Sequence, residues 1–363
     1  MIETIVTHVD LSPTRAPARA VGRGVALTPR NHGRPPDERD VGDAIRTPEE
    51  ASVRPRSTIP ASSSETSFPV AGGTIAATWY QPEARHGPLP CVVMGHGFTL
   101  TRRDGIPQYA QRLAAAGFAV LAFDYRHWGD STGQPRRCFS LCKQLVDWHT
   151  AVEYARSMGS IDADRVAVWG MSMGGGHALL TAARDSRIAA VVALAPATDP
   201  LAAQRPPAIG MRMIGRALRE ILTRRPVRMP VAGPPGSFAL VAAPEALPGF
   251  ERLTAGHDWH NDVNTGWLLA ASRWRPVREA TKIRAPILLQ LAERDGAVPL
   301  PAIERTAARA PRAELKRYDL DHFSCFWGEN ITQLATDQIQ FLRRHLLNPR
   351  REFKKVSSVR GEE

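Results

Sequence analysis

Long apolar runs are missing from this sequence. No stretch approaches the roughly 18 residues that a membrane-crossing helix needs, so no transmembrane span is expected. The first residues lack the charged start and apolar stretch of a secretory signal, and a cytoplasmic location is expected. Cysteine is scarce too. Cys91, Cys138, Cys142 and Cys325 are four in 363 residues, too few for a disulfide framework, and reduced thiols are expected. Cys138 and Cys142 are spaced as one helical turn, but no second ligand pair accompanies them. His257-Asp258-Trp259-His260-Asn261-Asp262 imitates a metal cluster, yet His-x-x-His is awkward on a helix and nothing completes the set. Neither a metal nor a cofactor is expected. Helix-turn-helix, RNA-recognition and zinc-finger signatures are absent, which argues against nucleic acid as a partner.

The charge that is present is uneven. The net +11 comes almost wholly from residues 201–230, with seven Arg against one Glu, and residues 343–363, with seven Lys or Arg against three Glu. Residues 1–65 hold nine Arg and nine acids and cancel. A basic face on a near-neutral globular chain either is a solvated Arg-rich surface or steers acidic substrates and meets anionic lipid. Hydrophobic content of 43% with 23% charged residues otherwise describes a chain able to bury a large core.

Residues 1–64, rich in Pro, Arg, Ser and Gly, carry no periodicity and are expected to be disordered or to lie outside the fold. A glycine-turned hairpin follows over 68–80, then a buried strand at Cys91–Met94 ending in His96-Gly97. Strands at 118–124, 165–169, 188–194, 287–291 and 314–318 alternate with helical patterns near 109–116, 140–158, 173–184, 300–309 and 330–347. Strands separated this way predict parallel pairing and a sheet covered on both faces. The alternation breaks only over 198–280, a proline-rich stretch holding Trp259, Trp267 and Trp274.

The chemistry concentrates at Val166-Ala167-Val168-Trp169-Gly170-Met171-Ser172-Met173-Gly174-Gly175-Gly176. A strand running into Gly-x-Ser-x-Gly and then a helix predicts a sharp turn that exposes the serine hydroxyl, with glycines where backbone passes close. A serine nucleophile needs a base, and the base needs an orienting carboxylate. Asp295 follows one late strand, and His322 the next. Nucleophile, acid and base thus run in the order Ser172, Asp295, His322. Asp199 is the rival acid, and His96, His127 and His177 are rival bases. Two backbone N–H groups must face the developing oxyanion; Met173, after the nucleophile, and Phe98, after His96-Gly97, supply them by position.

Together these residues resemble the α/β-hydrolase superfamily over about residues 67–347. Within it the chain is similar to dienelactone-hydrolase-like and peptidase-like esterases, whose counterpart of Asp124-Tyr125-Arg126-His127-Trp128-Gly129-Asp130-Ser131 follows the fourth strand. The resemblance implies a mostly parallel central sheet with helices on both faces, an inserted cap, a Ser172–His322–Asp295 triad and oxyanion amides at Phe98 and Met173. Two departures stand out: dienelactone hydrolases use a cysteine nucleophile, and the glycine run of lipase-type esterases is replaced by Phe98-Thr99-Leu100.

The expected organisation is an extension over 1–64, core over 65–197, a cap over 198–280, core over 281–347 and a basic tail over 348–363. Ile209, Met211, Met213, Ile214, Leu218, Ile221 and Leu222, with Arg between them, predict an amphipathic cap helix that packs on the core, lines the pocket or touches lipid. The expected activity is cleavage of an ester, thioester or amide of an apolar small-molecule acyl substrate through an acyl-enzyme. An acyltransferase or perhydrolase using the same residues, or a non-catalytic binding protein on this fold, are the alternatives.

Overall fold

A computed structural model describes residues 61–83, 87–203 and 206–347. The extension over 1–60 and the tail over 348–363 lie outside the described residues. Strands β1 (Ala61–Val70) and β2 (Gly73–Pro82) form the hairpin expected from the glycine turn, with Val70 opposite Gly73. Gly72 takes a φ of 83°, which a side chain would resist. β1 begins at Ala61, inside the stretch expected to lie outside the fold, and this corrects the boundary at 64. The reason is physical: Ala61–Glu65 is an exposed polar edge held by the backbone ladder, so no apolar alternation announces it.

The interior strands are read from continuous apolar runs. β3 (Leu89–Gly95), β4 (Ala119–Phe123) and β5 (Ile161–Met171) come first, then β6 (Ala190–Leu194). Between them run α1 (Ile106–Ala115), α2 (Leu141–Ser157) and α3 (Met173–Arg184). After β6 the chain leaves the sheet as α4 (Pro207–Thr223), the short pair β7 (Arg228–Met229) and β8 (Val263–Asn264), α5 (Ala246–Leu253) and α6 (Pro276–Glu279). It returns through β9 (Ile287–Ala292), α7 (Leu300–Arg309), β10 (Ala313–Tyr318) and α8 (Glu329–Leu342).

The eight strands of the main sheet lie in the order β1-β2-β4-β3-β5-β6-β9-β10. From β4 to β10 every neighbouring pair is parallel, and the antiparallel pairs involve only β2. α1 packs beside α8, and α2 beside α3, so helices cover both faces. Because these strands are parallel, the loops after β3, β5, β6, β9 and β10 meet along one edge, where ligands of such sheets bind. Among the described residues no helix is long and apolar enough to cross a membrane.

The loop after β3 is fixed by a buried ion network. Arg102 is 2% exposed; its guanidinium pairs with Asp124, with Glu65 at 2.6 Å and with Asp130 at 2.9 Å, while its Nε donates to Thr78 at 3.0 Å. Asp124 also accepts the Arg102 backbone N–H at 2.7 Å and that of Asp130 at 2.9 Å. This explains the Asp124–Ser131 motif as scaffolding that pins three segments together. Removing one partner strands the other charge in the interior. Arg102→Met is expected to cost about 3–5 kcal/mol, read as a lowered midpoint in urea unfolding of the full chain.

Candidate active site

Ser172 stands between β5 and α3 with φ 51° and ψ −121°, a conformation rare for a residue with a side chain. Such strain costs on the order of 1–3 kcal/mol and persists only where neighbours enforce it. They do so here. The Ser172 N–H donates to the Leu194 carbonyl at 2.9 Å, and the Ser172 carbonyl accepts from Ala197 at 2.9 Å, tying the turn to the end of β6. The flanking glycines have steric reasons. A Cβ on Gly170 would strike the backbone of Gly174, and one on Gly174 would lie 2.5 Å from the Gly95 and His96 carbonyl oxygens.

The loops after β9 and β10 bring Asp295 and His322 to this turn. His322 Nε2 lies 3.1 Å from Ser172 Oγ, and His322 Nδ1 lies 2.6 Å from Asp295 Oδ2. Asp295 is itself held: its Oδ1 accepts the backbone N–H groups of Ala297 at 2.8 Å and Val298 at 2.9 Å. The His322 loop is braced by Asp321, which accepts from the N–H groups of Phe323 and Ser324 at 2.8 Å each and from the Ser324 hydroxyl at 2.5 Å. Burial disfavours the His322 imidazolium, but the Asp295 carboxylate outweighs it, with Glu245 and Asp321 adding to the effect. The His322 pKa is therefore raised above its ordinary value.

Ser172 and His322 open onto an apolar cavity of about 120 Å³. Phe98, Met173, Phe250, Trp267, Trp274 and Phe323 contribute to its wall. Phe98, Phe139 and Trp267 form a ring cluster with centroids 4.7 to 5.5 Å apart. Phe98 and Met173 both line the cavity, and among the described residues no backbone carbonyl accepts the N–H of either. The wall from Leu240 to Trp274 comes from the segment between β6 and β9.

Comparison with known proteins fits this arrangement. The sequence profile of the family described as serine aminopeptidase, S33, matches residues 86–323. The chain belongs to this family of α/β-hydrolases. The hydrolase is 40% identical over 262 residues to the quorum-quenching protein AidA of Acinetobacter baumannii strain MDR-ZJ06, covering 70% of this chain and 86% of that protein. It is 27% identical over 299 residues to the polyketide transferase grgF of a Penicillium species, covering 80% and 98%. In fold it is similar to the crystal structure of GrgF from Penicillium sp. sh18, with a TM-score of 0.68 at 24% identity over 79% of this chain and 99% of that one. The structure of DcsB with a substrate analogue gives 0.69 at 20% identity, over 79% and 100%.

The rival residues of the hydrolase have other partners. Asp199 caps the turn that follows it and is held by Arg275 through contacts of 2.9 and 2.6 Å. His177 bridges Gln144 at 3.0 Å and Trp274 at 3.1 Å, and burial pushes its pKa down to about 3. His96 bonds the Gly97 carbonyl at 2.9 Å, and burial pushes it down to about 4. His127 lies 3.0 Å from the Pro135 carbonyl and 3.4 Å from Lys143 Nζ. His257 and His260 face Asp104 at 3.8 Å and Asp258 at 3.2 Å. Glu245 escaped the sequence reading altogether. It accepts the Gly296 N–H at 2.7 Å, joining the inserted segment to the Asp295 loop, and a lone Glu in a proline-rich stretch gives no signal of that role.

Proposed function

We propose that this hydrolase cleaves an ester, thioester or amide of a small apolar substrate through an acyl-enzyme, with Ser172 as nucleophile, His322 as base and Asp295 as its partner. The observation that carries the reading is the continuous relay from Ser172 Oγ through His322 to Asp295, at 3.1 and 2.6 Å, on the wall of an apolar cavity. Ser172 Oγ attacks the carbonyl carbon while its proton passes to His322 Nε2. Asp295 holds the Nδ1 proton and stabilises the imidazolium. The oxyanion takes the Phe98 and Met173 N–H groups, each such donor being worth about 3–4 kcal/mol. Collapse expels the leaving group, which receives the proton from His322. Water then attacks the acyl carbon, gives its proton to His322, and the second collapse returns Ser172.

Residues 198–280 serve as the cap in this reading, because their apolar side chains wall the cavity and exclude water. A cytoplasmic location accords with the four free cysteines. Cavity size bounds the acyl group. A void of about 150 Å³ holds a benzene ring, so the 120 Å³ here suits an acyl chain of up to about five carbons. Assay of p-nitrophenyl esters from acetyl to palmitoyl is expected to peak among the short chains and fall steeply beyond them. An optimum at the longest chains would contradict this pocket assignment. Acyl transfer is a second reading, favoured by the full-length likeness to a protein named a polyketide transferase; it would appear as transfer to an added alcohol outrunning hydrolysis.

A further inference from the structure

α4 turns an apolar stripe away from the protein. Its Met213 and Ala217 are buried, and the helix packs against residues 266–273. Met211, Ile214, Leu218, Ile221 and Leu222 are exposed, Met211 at 67% and Leu222 at 82%. Steps of three, four, three and one residues confine these five to an arc of roughly 100° on a helix. Scattered exposed leucines need no explanation; a stripe along a whole helix marks a contact surface.

Charge identifies what the stripe contacts. Arg212 and Arg219 flank it and Arg224 and Arg225 follow its end, all four exposed. Glu220, the lone acid of residues 201–230, is occupied: it accepts from Thr265 N–H at 2.7 Å, Asn264 Nδ2 at 2.8 Å and Val227 N–H at 3.1 Å. A second copy of the chain would therefore set arginine against arginine, whereas an anionic surface is complementary. We propose that α4 lies in the headgroup layer of an anionic lipid bilayer, with the stripe inserted and the arginines on lipid phosphates.

The position of α4 gives this docking a purpose, which rests on the serine-hydrolase reading above. Pro206 and Ile209, at the start of the helix, line a cavity of about 200 Å³. Ala203, Leu240, Val241 and Ala297 line both that cavity and the Ser172 pocket. The start of α4 and the Ser172 pocket thus share a wall, so docking of the helix is coupled to the site through that wall.

The test is sedimentation of the full chain with vesicles of phosphatidylglycerol and phosphatidylcholine in equal parts, and with phosphatidylcholine alone. Wild type and Ser172→Ala are expected to bind the anionic vesicles alike and the neutral ones at least ~10-fold more weakly, with binding falling as salt rises. Leu218→Gln/Leu222→Gln is expected to lose at least ~10-fold of the vesicle partitioning while hydrolysing a water-soluble short-chain ester at the wild-type rate. Equal binding to both vesicle types, no binding, or binding retained by the double variant overturns the proposal. So does a wild-type dimer that the double variant makes monomeric. Loss of docking with Ser172-dependent hydrolysis intact sinks the docking alone; docking without any hydrolysis sinks the activity alone.

Discussion

Ser172→Ala is expected to lower turnover of a short-chain p-nitrophenyl ester by at least ~10³-fold, as loss of a serine nucleophile generally does. Among the described residues the hydroxyl has one partner, His322 Nε2 at 3.1 Å. On the proposed mechanism its removal deletes the attacking atom and little else. The backbone bonds from Ser172 to Leu194 and Ala197 do not involve the side chain, so the turn keeps its supports. Thermal unfolding of the variant is therefore expected to match wild type, and the residual rate reflects only the amides and the cavity. A variant that keeps turnover within tenfold of wild type would remove Ser172 from the chemistry.

Asp295→Asn carries the second large effect, a turnover loss of about 10³- to 10⁴-fold. The carboxylate accepts on both oxygens, one from His322 and one from the paired N–H groups of Ala297 and Val298. An amide that keeps its oxygen on those two backbone donors presents N–H to His322 Nδ1. That forces the imidazole proton onto Nε2, where the base must be empty. The pH profile separates this from simple misfolding. In the proposed role of base His322 works only when neutral, so kcat/KM is expected to fall as pH drops through its pKa. With Asp295 raising that pKa, the acidic limb of wild type is expected above the ordinary imidazole value of about 6.5. In Asp295→Asn the limb should move to lower pH while the plateau collapses. An unchanged limb would mean that Asp295 is not the group that sets the His322 charge.

Much of this fold is legible in the sequence because its core strands are buried on both sides. Cys91–Met94 runs unbroken between Pro90 and Gly95, and Ile287–Leu291, apolar but for Gln290, starts after Pro286; the strands lie where those runs do. Ser172 and Asp295 are legible for a related reason, since each follows such a run within a few residues, whereas His322 follows the half-buried β10, Ala313–Tyr318, and is legible from its place after the last strand. The first half of β1 is not, since an exposed edge strand is set by its ladder and Ser62–Glu65 carry no inward face. Nor does the sequence reveal that Arg102 reaches Asp124, Glu65 and Asp130, which are brought together only by the sheet order. Outside α4 and α5 the segment between β6 and β9 is mostly short turns, so neither the Gly296 contact of Glu245 nor the place of Trp267 in the pocket wall can be assigned from periodicity. For α4 the amphipathic pattern is plain, but periodicity cannot say which way the apolar side faces. It splits, with Met213 and Ala217 inward and the larger stripe outward.

The account turns on whether Ser172 is a nucleophile activated by His322. The direct measurement is covalent labelling of the full chain by a fluorophosphonate, with the adduct located by peptide mass spectrometry. The account predicts a single adduct on Ser172, abolished by Ser172→Ala and slowed at least ~10²-fold by His322→Ala. An unlabelled Ser172 in a folded chain, or labelling that proceeds equally fast without His322, would contradict it.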